Sequence, residues 1–326
     1  MTRPVRAGTE PVRWGFIGAG WIAARALAPA VHAAEGARLV AAAARDADRA
    51  ARMGPSGSAY DSYAAIVDDP EVEVVYIALS NEAHLEWTIA ALAAGKHVLC
   101  EKPLALDAGQ VTEMTQAADA AGRMLVEATF SRWHPRTRRA AAILSAGGLG
   151  AVQRLDAGFT FGSVPAGNYR LDPARGGGAL YDVGPYAVGA VLWAVPDAPV
   201  TVLDVDVARD SGGVDLTTTA VLRVGAAEAV VRTSIAGDYG EWLHVLGDQA
   251  TLVLDQPAYT SWLAPSTLRV LGDEDSVHHF APVDPYQLMV EHVSRAVRGD
   301  GTAWVLPLGE SLRVARALDA IREAAR

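Results

Sequence analysis

The stretch from Val12 to Ala23 restricts this chain more than any other. Val12 to Ile17 is an apolar run that reads as a buried strand, and it passes without a spacer into Gly18-x-Gly20-x-x-Ala23 and an alanine-rich helical segment. In that setting Gly18 permits a tight turn, Gly20 lets the backbone approach a pyrophosphate, and small Ala23 allows the helix to sit close to the strand. The first turn of the helix then offers unpaired N–H groups to the anion, with Trp21 and Ile22 beside it. A dinucleotide is the predicted ligand.

The pattern continues as that start requires. Short apolar runs at Arg38 to Ala43, Val74 to Leu79, His97 to Cys100 and Met124 to Ala128 alternate with helical stretches, as in a doubly wound parallel sheet. Glu82 to Ala94 carries Leu85, Ile89 and Leu92 at helical spacing and stops at Gly95, and Pro135 to Ala146 reads as a further helix. From Gly150 the character changes. Consecutive β-rich runs at Val152 to Phe161, Thr201 to Val207, Thr217 to Val224, Ala229 to Ile235 and Trp242 to Leu246 predict a mostly antiparallel sheet. One helix, Asp182 to Ala194, interrupts it, and helices return at Tyr286 to Arg298 and Gly309 to Ala325. The division predicted is an α/β chain of two domains, 1–125 for nucleotide and 126–326 for substrate and assembly, the last helix packing back on the first domain.

Composition narrows the ligands. A formal charge of −10 opposes attraction to nucleic acid and acidic membranes, and no apolar run is long enough to span a bilayer. Met1 to Glu10 lacks the apolar core of a signal peptide, which points to the cytoplasm. Cys100, the single cysteine, has no partner for a disulfide and reads as a small buried residue, and His278-His279 has no neighbours that suggest a metal. A small-molecule substrate is the expectation.

The second strand decides which nicotinamide nucleotide is preferred. An acid at its end would bind the ribose hydroxyls, whereas an arginine accommodates a 2′-phosphate. Here the strand runs into Ala44-Arg45, Arg49 follows one helical turn on, and Asp46 is placed to cap the next helix. This predicts NADP(H), with NAD(H) as the alternative.

Loops at the carboxyl ends of parallel strands open onto one crevice, which gathers Gly18 to Ala23, Ser80-Asn81 to His84, Glu101-Lys102-Pro103 and Thr129 to His134. Ser80, Asn81, His84, Glu101 and Arg132 are candidate cofactor contacts, and His134 a candidate substrate contact. Lys102 stands out because 26 of the 28 basic residues are arginine, leaving only Lys96 and Lys102. Proton chemistry needs an amine whose pKa can be moved, and arginine cannot provide it. Asp182 reads as a helix cap and Tyr186 follows four residues later on the same face, so a carboxylate and a phenol are presented together. Tyr169, Arg170 and Asp172 precede the glycine-rich segment and are placed to line a substrate mouth.

Three segments, the phosphate turn, Asn81 to His84 through Ala94 to Leu104, and Gly176 to Tyr186, together resemble the glucose-fructose oxidoreductase, inositol dehydrogenase and MocA family along essentially the whole chain. The resemblance implies an amino-terminal Rossmann domain, an open-faced antiparallel sheet through which homodimers or homotetramers form, a nicotinamide cofactor and sugar-like or cyclic polyol substrates. It implies a cis bond before Pro103, and it places the catalytic lysine on Lys102 and the acid on Asp182. Tyr186 stands where many members have histidine, as in the sugar ketoreductase and dihydrodiol dehydrogenase branch. On that footing hydride transfer between a carbinol and nicotinamide needs a proton moved at the same oxygen, and Tyr186 would move it, its pKa lowered by Lys102. The roles of Lys102 and Tyr186 could be exchanged in such a coupled pair. Two other readings share the fold, an NAD-dependent glycosidase and a noncatalytic nucleotide-sensing regulator.

Overall fold

The computed structural model describes residues 10–162 and 164–325. Strands β1 (Val12–Ile17), β2 (Ala37–Ala43), β3 (Ser58–Tyr60), β4 (Val74–Ile77), β5 (His97–Cys100) and β6 (Leu125–Glu127) form a parallel sheet in the order β3-β2-β1-β4-β5-β6. The order reverses between β1 and β4, and there the carboxyl ends diverge to leave a crevice. Helices α1 (Ala28–Ala33), α2 (Ala47–Ala51), α3 (Tyr63–Asp68), α4 (His84–Ala93) and α5 (Ala108–Ala121) make the crossovers. Helix α1 is preceded by a π-helical turn, Ala23–Leu27, in which Ala28 N–H donates to the Ala23 carbonyl. Strands β4 and β6 are buried along their whole length, and β1, β2 and β5 are buried toward their carboxyl ends, because helices cover both faces of the sheet.

After α6 (Pro135–Ser145) the chain enters an eight-stranded sheet of β7 (Val152–Thr160), β8 (Val200–Arg209), β9 (Asp215–Val224), β10 (Ala227–Ser234), β11 (Gly240–Gly247), β12 (Thr251–Leu254), β13 (Ser266–Leu271) and β14 (Ser276–Phe280). Its order is β14-β13-β12-β11-β7-β10-β9-β8, antiparallel except where β10 runs parallel to β7. Helix α7 (Ala179–Ala194) lies across β7, β9 and β10. Its residues are buried on every side apart from Trp193, the signature of a helix enclosed by other elements. Helices α8 (Pro285–Val297) and α9 (Leu308–Ala324) return to the first sheet, α8 against α1 and α9 between α7 and α5. One apolar core therefore runs from Trp14 and Phe16 through Tyr186 and Val191 to Ile321.

One of the two lysines is spent inside the fold. Lys96 donates from Nζ to the carbonyls of Asp69 (2.7 Å) and Val72 (2.8 Å), tying the end of α3 to the start of β5. No helix among the described residues is long and apolar enough to cross a membrane.

Candidate active site

The turn after β1 is built as the glycines require. Gly18 has φ +100° and its N–H donates to the Ala43 carbonyl at 2.9 Å, while a Cβ there would stand 2.3 Å from the Ala78 carbonyl. At Gly20 a Cβ would meet nothing closer than 3.9 Å, so the approach to the helix start is open. Ala23 lies fully buried beneath this turn. Arg49 donates to the Ala19 carbonyl at 2.7 Å, and Asp46 caps α2 by accepting from Asp48 N–H at 2.9 Å, which takes the acid away from the crevice and leaves Ala44 and Arg45 there. These features fit a dinucleotide with an extra phosphate on its ribose.

A cavity of about 980 Å³ begins at Arg45 and Arg49, passes Gly18, Gly20, Trp21 and Ile22, then Ser80 and Asn81, and ends at Glu101, Lys102, Tyr169, Asp182 and Tyr186. These groups line one continuous space. Lys102 Nζ donates to the Asp182 carbonyl at 2.7 Å, stands 3.4 Å from Asp182 Oδ1, and lies 5.1 Å from the centre of the Tyr186 ring. The Lys102–Pro103 bond is cis. Beneath it the Glu101 carboxylate accepts from Tyr76 O–H (2.7 Å) and Lys102 N–H (3.2 Å). Burial raises the pKa of Glu101, and the charge of Lys102 offsets only part of that rise.

Asp182 is held ionised. Burial alone would raise its pKa, but Lys102 and Arg170, acting through charge and hydrogen bonds, outweigh that and bring it below the ordinary value. Arg170 Nε donates to Asp182 Oδ2 at 2.7 Å. Asp182 is not the cap of α7, as its position in the sequence suggested. The helix begins earlier, at Ala179, and Asp182 N–H donates within it to Gly178; Asp215 supplies the capping carboxylate by accepting from Leu180 N–H at 2.8 Å.

Tyr186 departs from expectation in a second way. Its pKa is raised well above the ordinary value, first by burial and then by Tyr286, Glu101 and Asp182. Lys102 does not reverse this, because the ammonium faces the ring and is paired with Asp182. The phenol is thus kept protonated.

Four predicted contacts lie elsewhere. His84 is buried with Nδ1 bonded to the Pro103 carbonyl at 2.9 Å, so it supports the Lys102 turn from behind. Arg132 turns to Glu310 and lies between the Trp193 and Trp304 rings. His134 caps α6 through Arg136 N–H (3.0 Å), and burial lowers its pKa to about 4. Asp172 caps the short helix Pro173–Arg175 by accepting from Ala174 N–H. In their place the structure brings Asn168, Phe130, Phe161, Thr260, Trp262 and Tyr286 to the cavity. Nothing in the sequence separates these aromatics from core residues. The segment before α7 also crosses to the nucleotide side, where Asn81 Nδ2 donates to the Gly176 carbonyl (2.7 Å) and Arg175 donates to Ser80 Oγ (2.9 Å) and Glu82 (3.2 Å).

Comparison with known proteins agrees with this arrangement. Residues 12–129 match the oxidoreductase family with an NAD-binding Rossmann fold, and residues 137–253 match the GFO/IDH/MocA C-terminal domain. A D-xylose 1-dehydrogenase (NADP(+)) of Haloferax volcanii is 35% identical over 96% of this chain and 97% of its own. The human trans-1,2-dihydrobenzene-1,2-diol dehydrogenase is 31% identical over 96% of each. Among solved structures, a 3-ketoreductase from Actinomadura kijaniata in complex with NADP and TDP-benzene superposes with a TM-score of 0.89 at 28% identity, covering 97% of this chain and 98% of that one.

Proposed function

The chain belongs to the Gfo/Idh/MocA family of oxidoreductases, and from that premise we propose that it is an NADP(H)-dependent enzyme acting on a carbonyl or carbinol of a sugar, a sugar nucleotide or a cyclic diol. The observation that carries this reading is the continuity of the cavity, with Arg45 and Arg49 at one end and Lys102, Asp182 and Tyr186 at the other. The NADP-named relatives support the choice of nucleotide.

When bound, the nicotinamide supplies the hydride for the carbonyl carbon. As that carbon is reduced its π electron pair moves to oxygen, and the negative charge gathers beside the Lys102 ammonium. Tyr186, protonated at rest, gives its proton to that oxygen; Lys102 then faces the phenolate left behind. Asp182, pinned between two cations, keeps Lys102 in place and offers an acceptor to a neighbouring hydroxyl. A neutral phenol is the form that can donate a proton when the carbonyl is reduced. The aromatic wall of Phe159, Phe161, Tyr169 and Trp262 suits the C–H faces of a pyranose or a cyclic diol.

The test is a panel of aldoses, ketosugars and cyclic diols followed by nicotinamide absorbance in both directions. At least one class should turn over, and Tyr186→Phe and Lys102→Ala should each lower kcat by about two orders of magnitude or more with NADPH affinity kept within a few fold. Normal turnover in both variants overturns the scheme. We further propose that two copies associate through the sheet face turned away from α7, which carries Val221, Val230, Trp242 and Leu246 between charged residues. Sedimentation should show a dimer or tetramer, and Val230→Arg with Leu246→Arg should leave monomers.

A further inference from the structure

The strap that precedes α7 brings a second cation to Asp182, and the two carboxylate oxygens are shared unequally. Oδ2 takes Arg170 Nε at 2.7 Å, whereas Lys102 Nζ stands 3.4 Å from Oδ1 and makes its short contact, 2.7 Å, with the Asp182 carbonyl. The closer charge contact belongs to Arg170. Arg170 is itself fixed from three sides. Its N–H donates to Asn168 Oδ1 at 3.0 Å, its carbonyl accepts from Gly178 N–H at 2.9 Å, and its guanidinium lies 4.9 Å from the centre of the Tyr169 ring. Two cations thus face one buried anion, leaving positive charge over at the inner end of the cavity, where Lys102, Arg170 and Tyr186 all line the wall.

An ammonium with only one buried carboxylate for company closes onto it, and a substrate oxygen must then compete for its protons. We propose that Arg170 is a positioning residue of the reaction: by taking up the charge of Asp182 it keeps Lys102 from closing into a full ion pair, so that the ammonium stays available to the substrate oxygen. This rests on the role given above to Lys102. The other groups facing Lys102 do not substitute for Arg170. Glu101 and Glu127, at the ends of β5 and β6, are shifted toward their neutral forms by burial, as is His84 at the start of α4, and Tyr186 is a neutral phenol.

The chain's lysine usage gives a readout that needs no substrate. Lys96 is buried with Nζ donating to two carbonyls, so reductive methylation with formaldehyde and cyanoborohydride, read by peptide mass mapping against pH, reports Lys102. In Arg170→Gln the midpoint of Lys102 methylation should move up by about one pH unit, because a repelling charge is gone and Asp182 pairs with the amine alone. On whichever panel substrate turns over, kcat should fall tenfold or more with NADPH affinity within twofold, and Arg170→Lys should recover part of the loss. In an Asp182→Asn background, where Lys102 has no carboxylate to close onto, the same Arg170→Gln change should cost less than threefold. An unmoved midpoint, or equal kcat losses in both backgrounds, overturns the proposal. If no panel substrate reacts, the reading of the reaction fails while the methylation midpoint still decides the role of Arg170.

Discussion

Replacing Asp182 by asparagine removes one negative charge and almost no volume, so it isolates the charge balance at the centre of the site. The side chain is 7% exposed and meets Lys102 and Arg170. Removing one partner of a fully buried ion pair costs about 3–5 kcal/mol because the remaining charge is left uncompensated. Here the cations, with side chains 14% and 30% exposed, open onto the cavity and recover part of their hydration. The cost expected is therefore about 2 kcal/mol. With a urea m value of about 3 kcal/mol/M for a chain of this size, the unfolding midpoint at pH 7 should fall by about 0.7 M. The pH dependence has a definite sign. Asp182 has its folded pKa depressed below an unfolded value of about 3.9, so its contribution is complete above that pH and is lost as pH falls through the folded value. The gap between the two proteins should stay constant from pH 5 upward and narrow below pH 4. Equal midpoints at pH 7, or a gap that persists unchanged into acid, would refute an ionised Asp182 between two cations.

Two further outcomes follow from residues outside that triad. Titration should show NADPH bound more tightly than NADH, and Arg45→Ala should remove most of the difference; equal affinities in the unmodified protein would sink the 2′-phosphate site. Lys96→Met should lower stability by about 2 kcal/mol, the range for hydrogen bonds from a charged donor, and chemical denaturation without loss would show that its two carbonyl contacts contribute nothing.

The parts of this molecule that could be read from the sequence are those dictated by neighbours in the chain. The Gly18 turn, the strand that ends at Cys100 and the i,i+4 pairing of Asp182 with Tyr186 depend on local spacing, and each is where the spacing puts it. The start of α7 was misplaced because its cap comes from Asp215, far along the chain, and no local pattern announces a carboxylate arriving from β9. His84, His134, Arg132 and Asp172 sit in loops near the crevice, but residue type does not say which way a side chain points; each is drawn off by a carbonyl, a helix start or a carboxylate. Strands β12 to β14 were not anticipated at all, being short segments on the edge side of the second sheet. The lowered pKa that a neighbouring lysine predicts for Tyr186 is not found, because burial, followed by Tyr286, Glu101 and Asp182, raises it, and neither the burial nor the approach of Tyr286 and Glu101 is visible in local spacing.

Helix α7, enclosed by sheet on one side and α9 on the other, carries the acid and the phenol on a segment that cannot shift without disturbing the core. The residues around the opposite wall, Phe161, Asn168, Tyr169, Thr260 and Trp262, come from connecting segments and a short 3-10 turn rather than from an enclosed helix. Reaction and selectivity therefore have separate addresses in this chain. Directed libraries that vary Phe161, Asn168, Tyr169, Thr260 and Trp262, with Arg170 kept, can explore new substrates while the hydride and proton chemistry is inherited intact, whereas substitutions along 179–194 will be read out first as lost folding.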